Sequence, residues 1–189
     1  LGSPRKKGNT AKVLEFFEEL ARKEHEVERV NIVSHDVRGC LGCLKCQEKM
    51  DEPGCGQKDD TPDLLQRLLA SDVVIYATPL YTGSYSAQMK AFIDRLYCLV
   101  KFVGISDNGV PETKSLVDGK RVALLVTCSG PVENNADLIQ EQFARLSGFA
   151  KTESMGSYVI PFCTSPDQMG ERAREVASKM ASDVTRISA

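Results

Sequence analysis

Apolar residues recur along this chain in two rhythms that take turns. Val13, Leu14, Phe16, Phe17, Leu20 and Ala21 fall at helical spacing and predict an amphipathic helix over 10–23, with Asn9 or Thr10 as its N-cap. Val27, Val30, Ile32 and Val33 then predict a strand with imperfect alternation. Leu64, Leu65, Leu68 and Leu69 mark a second helix, begun by Thr61 as cap with Pro62 at the first helical position and closed by Ser71-Asp72. Residues 73–77 are a continuous apolar run, as expected of a parallel strand covered on both faces. Met89, Phe92, Ile93 and Leu96 predict a third helix, and the apolar run within 121–127 a second buried strand. A helix over 135–147, a last strand at 157–160 and a terminal helix capped by Ser165-Pro166 complete the pattern.

Strands alternating with helices predict an α/β protein, a doubly wound parallel sheet wrapped on both sides. Leu1 alone represents the strand that should precede Gly2, so residues upstream are expected. Two stretches break the rhythm. Residues 39–60 read as an irregular, cysteine-rich loop, and residues 99–119, with Asp107-Asn108-Gly109 and Asp118-Gly119, as an inserted loop. Ligands of such sheets bind outside the carboxyl ends of the strands. The loops 2–10, 78–86 and 128–134 all occupy that position.

Composition narrows the picture modestly. At 189 residues the chain is expected to form one domain over 1–189, and 42% hydrophobic with 26% charged residues suits a globular α/β protein. A net charge of −2 gives no global attraction to nucleic acid or to an anionic membrane surface. No apolar run approaches the roughly 18 residues that cross a bilayer, and no leader pattern is present, so a cytoplasmic location is expected. Four of the seven cysteines, Cys40, Cys43, Cys46 and Cys55, crowd into one segment, which in a reducing compartment points to metal or redox chemistry.

The first loop has the composition of a phosphate cradle. Gly2 and Gly8 allow turns that a side chain obstructs; Ser3, Asn9 and Thr10 supply short hydrogen-bonding groups; Arg5, Lys6 and Lys7 supply positive charge at the start of a helix. It is not a dinucleotide fingerprint, because Gly-x-Gly-x-x-Gly is absent. Five residues between the glycines, followed by Asn9-Thr10, also exclude a Walker A loop.

Gly2-Ser3-Pro4-Arg5 and Gly8-Asn9-Thr10, with 71–81 and 86–95 in register, resemble the flavodoxin-like NAD(P)H-dependent FMN reductases. The resemblance implies a five-stranded flavodoxin-like sheet and an FMN site. Ser3, Arg5, Lys6, Gly8, Asn9 and Thr10 would hold the phosphate. Pro79, Leu80, Tyr81, Thr82, Gly83 and Ser84 would pass along the isoalloxazine ring, with backbone N–H groups of Gly83 or Ser84 near its polar edge. Cys128, Ser129 and Gly130 would approach from the third loop. NAD(P)H is implied as the hydride source, a quinone, free flavin or redox protein as the acceptor, and a homodimer or homotetramer as the assembly. No side chain is assigned as acid or base, since the flavin carries the chemistry.

Cys40-x2-Cys43-x2-Cys46 is a spacing at which thiolates reach one [4Fe–4S] cluster, with Cys55 as a fourth ligand. The position of this motif resembles the iron-sulfur flavoprotein branch, whose members exchange electrons with ferredoxin-like partners. A zinc site, a redox dithiol of Cys43 and Cys46, and metal-free thiols are the other readings of the same residues. Cys98 and Cys163 read as small buried hydrophobes. Lys90, Asp94 and Arg95 suit ion pairs within one helix. A regulatory protein binding a phosphorylated ligand is the non-redox alternative.

Overall fold

The computed structural model describes residues 1–185. Five helices, α1 (Asn9–Ala21), α2 (Thr61–Ala70), α3 (Ala87–Arg95), α4 (Asp137–Ala150) and α5 (Gly170–Thr185), alternate with strands β1 (Val73–Pro79), β2 (Val100–Ile105), β3 (Pro111–Ser115), β4 (Arg121–Thr127) and β5 (Glu153–Ile160). Strands β1, β4 and β5 form a parallel sheet in the order β1-β4-β5. The central strand β4 shows why the sheet is covered twice. Val122, Leu124 and Val126 face a core built with α2, α3 and α4, whereas Ala123 and Leu125 face one built with α1 and α5. Successive side chains of a strand point to opposite faces, so an unbroken apolar run requires two cores.

The expected five-stranded parallel sheet is corrected to three strands flanked by single rungs. Leu1 donates its amino group to Val30 O at 2.6 Å and accepts from Ile32 N at 3.0 Å, while Gly2 N donates to Ala77 O at 2.8 Å. Residues 1–2, then 30–32, thus continue the sheet outward from β1, in the 2-1-3-4-5 order of flavodoxin-like folds. With so few rungs, the strand expected over 27–33 is replaced by extended chain and a 3-10 turn at Ile32–Ser34.

The inserted loop over 99–119 is also corrected: β2 and β3 pair antiparallel there, from Val100 opposite Ser115 to Ile105 opposite Pro111, with a bulge between Phe102 and Gly104. Gly8, not Asn9 or Thr10, stands at the N-cap of α1, and no side chain caps that helix. Asp60 occupies the cap position before α2, although Thr61-Pro62 open the helix as expected. No helix among the described residues is long and apolar enough to cross a membrane.

Candidate functional site

Buried hydroxyl groups knit the three loops together at the carboxyl edge of the sheet. Ser86 Oγ donates to Gly2 O at 2.5 Å and accepts from Met89 N at 3.2 Å, so one side chain caps α3 and fastens the first loop. Ser86 N donates to Thr78 Oγ1 at 3.1 Å, tying both ends of the second loop. Thr10 and Thr127 share a buried hydroxyl–hydroxyl bond of 2.6 Å, joining α1 to the end of β4. Leu80 N donates to Thr127 O at 2.9 Å. Thr78, Ser86 and Thr127 are absent from the candidates read in sequence. Their signal was available: hydroxyl residues standing where an apolar strand ends or a helix begins.

Within the first loop, Ser3 is buried and its hydroxyl both donates to Arg5 O and accepts from Arg5 N, each at 3.1 Å. Gly8 N donates to Arg5 O at 3.1 Å, closing a compact turn that leaves Arg5 and Lys6 exposed above it. A Cβ on Gly2 lies 2.4 Å from Met89 Cβ, so only glycine lets the loop sit against α3. Asn9 Oδ1 is buried without a partner, at the uncapped start of α1. A turn of backbone N–H groups and a helix start without a side-chain cap are what a bound phosphate satisfies. Thr10 is buried, and its hydroxyl shares a hydrogen bond with Thr127 Oγ1 at 2.6 Å.

The second loop turns at Thr82 and Gly83, with φ of 50° and 73°. Paired left-handed residues define a tight hairpin turn, and here Tyr81 and Ser84 bond each other reciprocally at 3.0 and 3.1 Å. Ser84 N–H is therefore used inside the turn, and Ser84 Oγ donates to Gln142 at 3.0 Å, which narrows the free backbone donor to Gly83. Tyr81 is exposed, while Pro79 and Leu80 are half-buried. On the third loop Ser129 is exposed and Gly130 half-buried, but Cys128 packs into the core and burial pushes its thiol pKa up. Phe162, exposed and left-handed, donates its N–H to Gly130 O and stands beside this loop.

The cysteine segment is a second candidate region. Cys40 and Cys43 are exposed, Cys55 is half-buried and Cys46 is buried, and all four line a cavity of about 360 Å³ together with Arg95, Tyr97 and Cys98. Among the described residues no group of three or more Cys, His, Asp or Glu is close enough to hold a metal ion. As folded, then, the four thiols do not fit a [4Fe–4S] cluster or a zinc ion. Three of the four sulfurs accept a hydrogen bond: Cys40 from Gly42 N at 3.4 Å, Cys46 from Gln47 Nε2 at 3.7 Å and Cys55 from Arg95 Nη2 at 3.1 Å.

Two residues here depart from their expected roles. Lys90 and Asp94 do pair within α3 at 2.6 Å, but Arg95 turns away, fully buried, to pair with Asp59 at 2.5 Å. Burial opposes the Asp59 charge, yet Arg95 and the N–H groups of Arg38 and Thr61 outweigh it and hold the carboxyl at about 2, below its usual 3.8. Cys98 is buried as expected, but it forms part of the cavity wall, and burial with Cys55 and Cys46 nearby pushes its thiol up to about 12. A separate apolar cavity of about 420 Å³ beneath α4 touches none of the three loops.

A doubly wound parallel sheet with three strand-end loops gathered at its carboxyl edge defines the flavodoxin-like class. Residues 1–159 match the NADPH-dependent FMN reductases, and the chain belongs to that family. An iron-sulfur flavoprotein of Archaeoglobus fulgidus is 44% identical over 97 residues, covering 51% of this chain and 43% of that protein. An FMN-dependent NAD(P)H:quinone oxidoreductase of Pseudomonas aeruginosa is 41% identical over 68 residues, 35% of this chain and 32% of that one. The matches thus span less than half the length of these relatives. Among solved structures, an NAD(P)H:quinone oxidoreductase from Methanothermobacter marburgensis superposes with a TM-score of 0.69 at 16% identity, covering 98% of this chain and 93% of the other. An FMN-dependent NADH-azoreductase from Bacillus anthracis, in complex with FMN, gives 0.64 at 16% identity over 93% and 89%.

Proposed function

We propose that the three-loop edge binds FMN and serves an oxidoreductase that takes electrons from NAD(P)H and passes them to a small acceptor, a quinone or free flavin, or to a redox protein. The observation that carries this reading is the buried hydroxyl network that ties loops 2–10 and 78–86 to each other and to Thr127, the last residue of β4, from which loop 128–134 leaves. In this reading the phosphate sits on the turn of Ser3 to Gly8 and the first N–H groups of α1, with Arg5 and Lys6 supplying charge. Pro79, Leu80 and Tyr81 flank the ring, Gly83 N–H meets its polar edge, and Ser129 and Gly130 close the third side. When bound, the flavin supplies the two-electron chemistry. The protein residues orient it and set what approaches. A second copy that completes the acceptor side belongs to the same proposal.

An electron carrier working through a cluster lacks a gathered set of donors among the described residues. The test is a titration of purified protein with FMN, followed by anaerobic mixing with NADPH or NADH. Stoichiometric quenching of flavin fluorescence and loss of its visible absorption on mixing are expected. Failure to bind FMN overturns the proposal outright, and binding without reduction by either nicotinamide restricts it to a flavin carrier.

A further inference from the structure

The segment from Arg38 to Asp59 carries little secondary structure beyond one 3-10 turn at Lys45–Glu48, yet it is fastened at both ends and in the middle. Arg95, 1% exposed, uses a whole guanidinium edge for this. Its Nη1 donates to Asp59 Oδ2 at 2.5 Å and Arg38 O at 2.8 Å, and its Nη2 to Asp59 Oδ1 at 3.2 Å and Cys55 Sγ at 3.1 Å. Asp59 in turn accepts from Arg38 N and Thr61 N, each at 3.1 Å. Lys101 of β2, also fully buried, donates to Cys46 O at 2.7 Å and Pro53 O at 3.1 Å. Gln47 pairs with the edge of β2 through Val100 O and Phe102 N, both at 3.0 Å.

Cysteine-rich loops that depend on a metal are unfolded without it, because the ion supplies their ordering energy. Here buried charge-assisted hydrogen bonds already do so. We infer that the cysteine segment is ordered by protein contacts alone, and that Arg95 is a positioning residue that sets Cys55 on the wall of a thiol pocket formed before anything binds in it. The planar fork of arginine matters. Two bonds to Asp59 leave a second N–H on the same nitrogen aimed at the sulfur, a geometry that a lysine ammonium does not reproduce. A thiophilic ligand entering this cavity therefore meets Cys46 and Cys55 already set in place and does not have to order that part of the loop first.

Hydrogen exchange of chelator-treated, reduced protein, read by mass spectrometry, tests the first part, and it is independent of flavin binding. Within residues 36–60 the hydrogen-bonded amides of Arg38, Gln47 and Asp60 are expected to stay protected in the metal-stripped protein and in the C40S/C43S/C46S/C55S variant, and those of Arg38 and Asp60 to lose protection by about tenfold or more in R95M. Exchange in the stripped wild type as fast as in R95M, or opening in the quadruple variant, overturns the inference. The positioning role is read from R95K, which keeps the charge facing Asp59. There Cys55 is expected to react with iodoacetamide about threefold faster or more relative to Cys40, with Cys128 and Cys163 still protected as controls for the fold. An unchanged Cys55 to Cys40 ratio overturns the role of Arg95 toward the sulfur.

Discussion

Ser86 shows how much one hydroxyl can decide. It is fully buried, caps α3 through Met89 N and holds Gly2 O, so Ser86→Ala removes a cap and leaves a buried carbonyl unpaired. A loss of about 2–3 kcal/mol is expected in denaturant unfolding. FMN affinity is expected to fall by roughly tenfold in the same variant, because the first loop loses its tie to α3. Asp59 gives a prediction in pH. Its folded pKa of about 2 lies below the unfolded 3.8, so its stabilisation is complete above pH 3.8 and is lost as pH falls through about 2. That amounts to about 2 kcal/mol by linkage. Urea midpoints measured from pH 5 to pH 2 are expected to fall more steeply in the wild type than in Asp59→Asn, which has no carboxylate to protonate.

Elements differed in how readily the sequence disclosed them. The buried strands β1 and β4 were plain because a strand in the centre of a sheet must be apolar throughout. The hairpin of β2 and β3 was hidden for the opposite reason: Phe102, Val103, Ile105 and Val110 are exposed while Lys101 is buried, which inverts the usual pattern. Arg95 was misread because helical spacing to Lys90 and Asp94 is visible in a sequence, whereas Asp59, 36 residues away, is not. The three strand-end loops were legible as motifs and the hydroxyl residues at their edges stood in view, yet which hydroxyl pairs with which was not, since each pairing crosses from one element to another. At this scale Lys101→Ala is expected to cost about 2–4 kcal/mol, through the cavity it leaves and the Cys46 and Pro53 carbonyls it strands. Thermal unfolding by circular dichroism measures it.

For the molecule as a whole, binding adds directly to stability. FMN at about a hundredfold its dissociation constant is expected to contribute about 2.7 kcal/mol, or roughly 5–11 °C in melting temperature for a domain of this size. Riboflavin at the same concentration, lacking the phosphate, is expected to give a shift of less than about half that. Equal shifts for the two ligands in a melting experiment are incompatible with a phosphate held on the first loop.

Helix α3 carries both of these fastenings, Ser86 immediately before it and Arg95 as its last residue. Its nine residues make it a gauge of about 13 Å. The separation between the flavin edge and the thiol pocket is thereby fixed by a count of residues. A single insertion would advance Arg95 by about 1.5 Å and rotate it by about 100°, taking the guanidinium off Asp59 even if every other contact survived. Sequence change within α3 can therefore proceed by substitution on its outer face, but its length is locked by the need to keep both ends in phase.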